Sequence, residues 1–371
     1  MGTYILKRLM IFPVTLFGIT LITFFVMKLA PGNPVATKMQ AAQGLQSEAL
    51  SGEVYEQTLK LYGLKVDLPK SYENFIAWST KIIHGRDSKE SPPFTRKALY
   101  EIGQATFQYI TWLKGLAQLN FGSSLKDFRP VWDKIKEALP ITLILNLISL
   151  FIVYFVSIPM GAYSALKRGG LWDQTTMILM FFLYSLPSFW IATLLLVYFA
   201  EGDFLGWFPL GGLTSDGAEV LPWFQQLGDF LWHLVLPVIA MVYGSFAFLS
   251  RFSRSVVLES LHEDFVRTAR AKGLNKSAAL WKHAFRHSLI PLITIMGTLL
   301  PALLGGSVII EQIFNIPGMG RLAFESVLAR DYPTIMAIAT LSAFLTLVSL
   351  LLSDLSYAWV DPRVKLEQKS L

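Results

Sequence analysis

Cysteine is absent from the 371 residues, which removes disulfides, thiolate nucleophiles and cysteine-based zinc sites together. Charge is scarce too: 16% of residues are charged against 53% hydrophobic, and the mean hydropathy is +0.48. A soluble chain carries about 25% charged residues, so lipid is the expected solvent. Histidine is limited to five residues. His283 and His287 stand i, i+4 with no third ligand nearby, so helix packing or a basic patch is expected there rather than zinc. His262-Glu263 lacks the second histidine of a metalloprotease motif. No Gly-x-x-x-x-Gly-Lys-Ser/Thr loop exists to cradle a nucleotide phosphate, and no Gly-x-Ser-x-Gly elbow points to a hydrolase. The net charge of +6 lies in short loops between apolar runs, where it sets membrane orientation; nucleic acid is not an expected partner.

What the chain does have is six apolar runs long enough to cross a bilayer core, which takes about 20 helical residues. They fall near 5–28, 140–166, 174–200, 229–250, 287–314 and 332–358. The fifth contains Pro291, Pro301 and the pair Gly305-Gly306. Such breakers are tolerated where neighbours or a water-lined path satisfy the freed backbone groups, which makes these residues candidates for a pore wall or gate. Glu311 and Asp354 lie near span ends, where solvation at headgroup level or pairing competes with a place on a substrate route; Glu311 joins the pore candidates.

Orientation follows from the short loops. Lys167 and Arg168 lie between spans two and three, and eight basic residues from Arg251 to Arg286 between spans four and five, so both loops are expected in the cytoplasm. Loop 201–228 carries four acids and no Lys or Arg, which puts it outside. Both termini then face the cytoplasm. The chain reads as residues 1–34, a first span with its outer end; 35–139, a long extracytoplasmic helical insertion; 140–363, a core of five spans; and 364–371, a tail. Within the insertion, Tyr72 to Trp78 and Phe107 to Leu119 have the spacing of amphipathic helices, either lying on the membrane or a partner or forming a cap packed on the protein's own spans.

The loop 259–291 is the most informative segment. Ser260 and Glu263 have the spacing of a capping box. Asp264 follows in the first turn and Arg267, Arg270 and Lys272 in the last, as the helix dipole favours. Gly273 suits the left-handed residue that ends a helix, and Asn275 the cap of the next. A short helix, a sharp turn and a second helix leading into a span are predicted.

The run Arg-Thr-Ala-Arg-Ala-Lys-Gly at 267–273, continuing through Lys282-His283-Ala284-Phe285-Arg286-His287 to Leu289-Ile290-Pro291, resembles the EAA loop of binding-protein-dependent ABC permeases, in the form found in the dipeptide, oligopeptide and nickel branch. Further stretches are similar to that family in order: Pro31-Gly32-Asn33-Pro34, Asn120 to Leu125, Glu311 to Phe314 with Pro317 to Gly320, Arg330 to Pro333, and Val360 to Arg363. The block from Phe208 through Pro222-Trp223 to Leu234 looks like the oligopeptide and microcin-type subgroup. Two features depart from the pattern. The consensus Glu-Ala-Ala stands here as Arg267-Thr268-Ala269, and about 79–108 reads as an insertion.

The resemblance implies an all-α polytopic protein of the bacterial inner membrane, with the type I ABC importer permease fold and a cytoplasmic coupling helix near 261–271. Glu263, Asp264, Arg267, Thr268, Ala269, Arg270, Lys272 and Gly273 would meet an ATPase. It implies a second homologous permease subunit, two cytoplasmic ATPase subunits carrying ATP and Mg²⁺, and an extracytoplasmic substrate-binding protein. Membrane lipid surrounds the chain, which would bind no cofactor and catalyse nothing itself. The rival class is a stand-alone proton-coupled secondary transporter or channel, which has no need of a rigid loop helix pair and whose inverted repeats are not visible.

Overall fold

Lipid offers a backbone amide no hydrogen-bond partner, so a chain this apolar must close its bonds within helices. The computed structural model describes residues 2–29, 65–84, 93–299 and 307–360, and among them β pairing is confined to one isolated bridge between Ser123 and Pro130. In chain order the helices are α1 (Gly2–Leu29), α2 (Lys70–His84), α3 (Pro93–Ala117), α4 (Val131–Leu166), α5 (Leu171–Ser185), α6 (Ser188–Leu195), α7 (Trp223–Leu261), α8 (Asp264–Ala271), α9 (Lys276–Ala279), α10 (Phe285–Leu299), α11 (Val308–Ile313), α12 (Met319–Leu328) and α13 (Tyr332–Val360). Single π turns at Leu196–Ala200 and Leu280–Ala284 extend α6 and join α9 to α10.

Among the described residues, four helical segments are long and apolar enough to span: Ile5–Leu29, Val131–Leu166, Trp223–Leu261 and Tyr332–Leu352. The expected third span is not one straight rod. Leu171–Ser185 and Ser188–Ala200 meet at a bend of 95°. Proline disfavours a helical conformation in the residue before it, and Leu186, ahead of Pro187, is extended at φ −88 and ψ 134. The Leu186 carbonyl freed by the break accepts a hydrogen bond from the Tyr243 hydroxyl at 2.8 Å. Helices α4 and α7 start earlier than the apolar runs at 140 and 229, because their polar first turns continue the helix. Of the expected fifth span, α10 and α11 are seen; Pro301, Gly305 and Gly306 lie outside the described residues.

The chain forms two compact units. One comprises Val14–Ile135 and Glu325–Leu341; the other comprises Met1–Pro13, Lys136–Phe324 and Ser342–Leu371. In the first, the stretches expected to be amphipathic are helical and form a cap on the protein's own first span. The Tyr109 hydroxyl of α3 meets that of Thr20 on α1 at 2.8 Å, and Lys28 donates to Gln108 at 2.7 Å. Helix α2 is tied to α3 by the Tyr72 hydroxyl, which donates to the Leu99 carbonyl. The Gln104 side chain brackets both backbone groups of Val66. The second helix ends at Ala117, short of Leu119, which takes a positive φ of 57°.

In the second unit, Leu145 on α4, Leu234 and Leu236 on α7, and Ile310 and Phe314 at α11 share one buried apolar cluster. Asp173, buried at the start of α5, accepts two hydrogen bonds from the Arg254 guanidinium of α7, at 2.5 and 2.7 Å, and a third from the Gly169 amide at 2.9 Å. Helices α4 and α7 come closest at Gly161, where a Cβ would lie 2.4 Å from the Ser250 carbonyl oxygen and 2.8 Å from the Ser253 Cβ. Backbone cannot yield as a flexible side chain can. Gly161→Val is therefore expected to destabilise this unit by about 1–3 kcal/mol, the usual cost of overpacking. A drop in the unfolding temperature of the detergent-solubilised protein checks it, with Gly18→Val, where nothing lies within 4 Å, as the neutral control.

Candidate functional site

The segment joining α7 to α10 folds as expected in outline and differs in its start. Ser260 does not cap the loop helix. It is still inside α7, buried, with its hydroxyl accepting from Ser288 of α10 at 2.9 Å. Helix α8 begins at Asp264, with Glu263 as an extended N-cap whose side chain makes no capping bond. The capping-box spacing is overridden because α7 runs on past the apolar run before the chain turns. At the other end the prediction holds: Gly273 has φ +95, and the Asn275 side chain accepts from the Ala278 amide at 2.8 Å to start α9.

Helix α8 has two faces. Val266 packs with Leu261, Ala279 and Ala284, and Ala269 beside it is buried too. Glu263, Asp264, Arg267, Thr268, Arg270, Lys272 and Gly273 are exposed. Of the residues predicted to meet a partner, Ala269 alone is turned inward, where it packs the helix onto its own chain. Two polar ties reach beyond this packing. Lys276 donates to the Leu166 carbonyl at 2.8 Å, meeting an orphan acceptor at the end of α4. Ser288 links α10 to α7 through Ser260. The loop as a whole is thus tied to the ends of α4, α7 and α10, and sequence pattern gave no hint of the Lys276 tie.

The remaining motifs are turns built around buried carboxylates. Glu311, 1% exposed, accepts from the Thr142 hydroxyl at 3.1 Å and from the Arg321 amide in the first turn of α12 at 2.8 Å. Thr142 in turn accepts from the Met319 amide at 2.7 Å. Gly318 lies under the carboxyl with no room for a side chain. The Phe314 carbonyl beyond Glu311 accepts from Gly212, which brings in the 208–212 block. Glu311 therefore serves a turn; of the other pore candidates, Pro291 is described and lies inside the continuous helix α10. Asp354 pairs with Arg8 at 2.8 Å.

In the other unit, Asp331 is fully buried and accepts from Ser124, from the Leu125 amide at 2.8 Å and from Thr334 at 2.6 Å. This locks the Asn120–Leu125 stretch to Arg330–Pro333. Lys134 stands 3.0 Å from Asp127 and 3.8 Å from Asp331. Partial burial raises the Asp127 carboxyl, but hydrogen bonds from Lys134, Ser124 and the Arg129 amide outweigh it and hold the group below the ordinary carboxylate range. Its contribution is present at neutral pH and fades as pH falls through that lowered value.

Residues 157–366 match the binding-protein-dependent transport system inner membrane component. That match covers more than half of the chain. The chain belongs to this family. The full-length relatives agree: it is 34% identical over 366 residues to the oligopeptide transport system permease protein AppB of Bacillus subtilis, covering 98% of this chain and 100% of the relative. It is 35% identical to the inner membrane ABC transporter permease protein YejB of Escherichia coli O157:H7, covering 99% and 100%. It is 32% identical to the dipeptide transport system permease protein DppB of Bacillus subtilis over the whole of both. Among solved structures, the inward-facing MetNI methionine ABC transporter overlaps 61% of this chain and 96% of its own, at a TM-score of 0.48 and 15% identity. This permease is an all-α, multi-pass inner-membrane component of a transport system, the part that spans rather than the part that hydrolyses ATP.

Replacing Glu311 by Ala leaves the Thr142 hydroxyl and the Arg321 amide of this permease without their acceptor. A loss of about 1–3 kcal/mol is expected, with a smaller loss for Glu311→Gln, which keeps the shape and one acceptor oxygen. Thermal unfolding in detergent measures both.

Proposed function

We propose that the chain is one of two permease halves of an ATP-driven importer of peptides, and that α8 receives the stroke of a cytoplasmic ATPase. The observation that carries this is the division of α8 into an apolar face packed against the end of α7 and the following turns and a charged outer face, within a loop tied to α4 through Lys276 and across α7 and α10 through Ser288. A push on such an element moves three helix ends together. The names of the relatives, oligopeptide and dipeptide permeases among them, support peptide as the cargo. A second homologous permease completes the path, an external binding protein delivers substrate, and a pair of ATPase subunits carries ATP and Mg²⁺. Pro291, with Pro301, Gly305 and Gly306 beyond it, borders the route.

Energetics favour a shared machine over a lone proton-coupled transporter. Swinging an inward-to-outward equilibrium from 1:99 to 99:1 takes about 5.5 kcal/mol of differential binding. A nucleotide-driven partner closing on α8 supplies it, whereas this chain has no phosphate loop of its own. Reconstituted alone, the polypeptide is expected to accumulate no peptide with or without a proton gradient; uptake by the single subunit would overturn the reading.

The turn at Gly273 tests the lever directly. Nothing lies within 4 Å of where its Cβ would stand, so a substitution there meets no clash and acts through φ alone. Gly273→Val, costing about 1–2 kcal/mol in the left-handed region, is expected to insert normally yet lose peptide uptake in the assembled transporter. Normal uptake would remove the turn from the coupling path.

Orientation is tested in the cysteine-free background. Thr214→Cys is expected to react with an impermeant maleimide on intact cells and Ser277→Cys only after permeabilisation. The reverse pattern would separate α8 from any cytoplasmic ATPase.

A further inference from the structure

Between α8 and the start of α10 lies a groove of about 670 Å³, within the size range of small-molecule sites. Its walls change character along one helical stripe. Lys282 and Arg286, four residues apart, line one end with His283 and His287 beside them; Ile290 and Ile293 follow one and two turns further along α10. Phe265 closes the side from α8, its ring 5.4 Å from that of His287. Among the described residues, no ion pair engages Lys282 or Arg286, whereas the comparable cation Arg254 is fully used by Asp173. On α8 itself, Arg267 is directed to Asp264 at 3.4 Å.

We infer that this groove seats an anionic glycerophospholipid, its phosphate held between Lys282 and Arg286 and the start of its acyl chain against Ile290, Ile293 and Phe265. Two cations that make no ion pair among the described residues, at one end of this stripe, call for a negative ligand. The order along the helix separates a lipid from a free anion: Arg286 and Ile293 are seven residues apart, about 10 Å along a helix, so charge gives way to apolar side chains over the distance that separates headgroup from hydrocarbon. The stripe leads from the basic loop into the expected fifth span, the kind of junction at which lysine and arginine meet lipid phosphates. Seated there, the lipid would wedge between the loop helix and the span and stiffen their junction.

The test uses the full-length protein in phosphatidylcholine nanodiscs doped with photoactivatable phosphatidylglycerol or, separately, photoactivatable phosphatidylcholine. Phosphatidylglycerol is expected to label Phe265 and the 282–293 stripe in strong preference to phosphatidylcholine. Lys282→Gln and Arg286→Gln should each lower that labelling about five-fold, and the charge-keeping pair Lys282→Arg with Arg286→Lys should restore it. Equal labelling by the two lipids, or loss of labelling on adding soluble glycerol phosphate, would overturn the proposal in favour of no site or a bare anion site. Exclusion of the lipid when the ATPase subunits bind would assign the groove to a protein partner instead. Should the glutamine variants fail to insert, the headgroup comparison on the unaltered protein still decides.

Discussion

The backbone hydrogen bond sets the terms for this protein, because hydrocarbon provides no substitute for one that is broken. At several places where a helix ends or bends, a nearby side chain takes over. Tyr243 serves the Leu186 carbonyl at the 95° break, Asp173 takes the Gly169 amide between α4 and α5, and Lys276 reaches the last carbonyl of α4. Glu311 and Asp331 each take an amide from a turn that reverses the chain. With charge held to 16% of residues, several of the few carboxylates are assigned to this work. Scarcity and precise placement have the same cause.

That assignment explains why the family-like motifs look as they do. Asn120 accepts from the Gly122 amide, Phe121 stacks on Trp132 at 5.5 Å, and Ser124 closes on Asp331 207 residues away. Each residue has a separate geometric duty. A motif made of such duties tolerates little change, whatever substrate passes elsewhere.

The class of protein was legible because its signals are local. Apolar run length announces a span, and Gly273 and Asn275 act within one turn of where they stand. Three features were hidden. Pro187 sits in a run apolar throughout, so hydropathy passes over the break it imposes. Ser260-x-x-Glu263 has the spacing of a cap, but pattern cannot tell a helix starting at 261 from α7 extending through it. The pairs Asp173–Arg254 and Thr142–Glu311 join residues 81 and 169 positions apart, and no periodicity encodes a partner at that range. Glu311 illustrates the limit: an acid near the end of an apolar run suggests an ion path, and only its neighbours show that both oxygens are engaged by a turn.

The loop between α7 and α10 is built as a rigid junction rather than a hinge. Its inner face is apolar and packed, its turns are fixed by one positive-φ glycine and one asparagine cap, and polar ties run from it to α4 and between α7 and α10. Flexible connectors leave backbone groups to water; here they are bonded within the chain. A junction of this kind transmits displacement instead of absorbing it, so the movement needed to open a path must be taken up elsewhere in the spans. Among the places the described helices offer are the Leu186–Pro187 break and Pro291 within α10. Both lie beside α7, whose Tyr243 and Ser260 contact the break and α10 respectively. Helix α7 therefore connects the rigid junction to the break in the third span, and a force applied at α8 reaches that break along a single continuous helix.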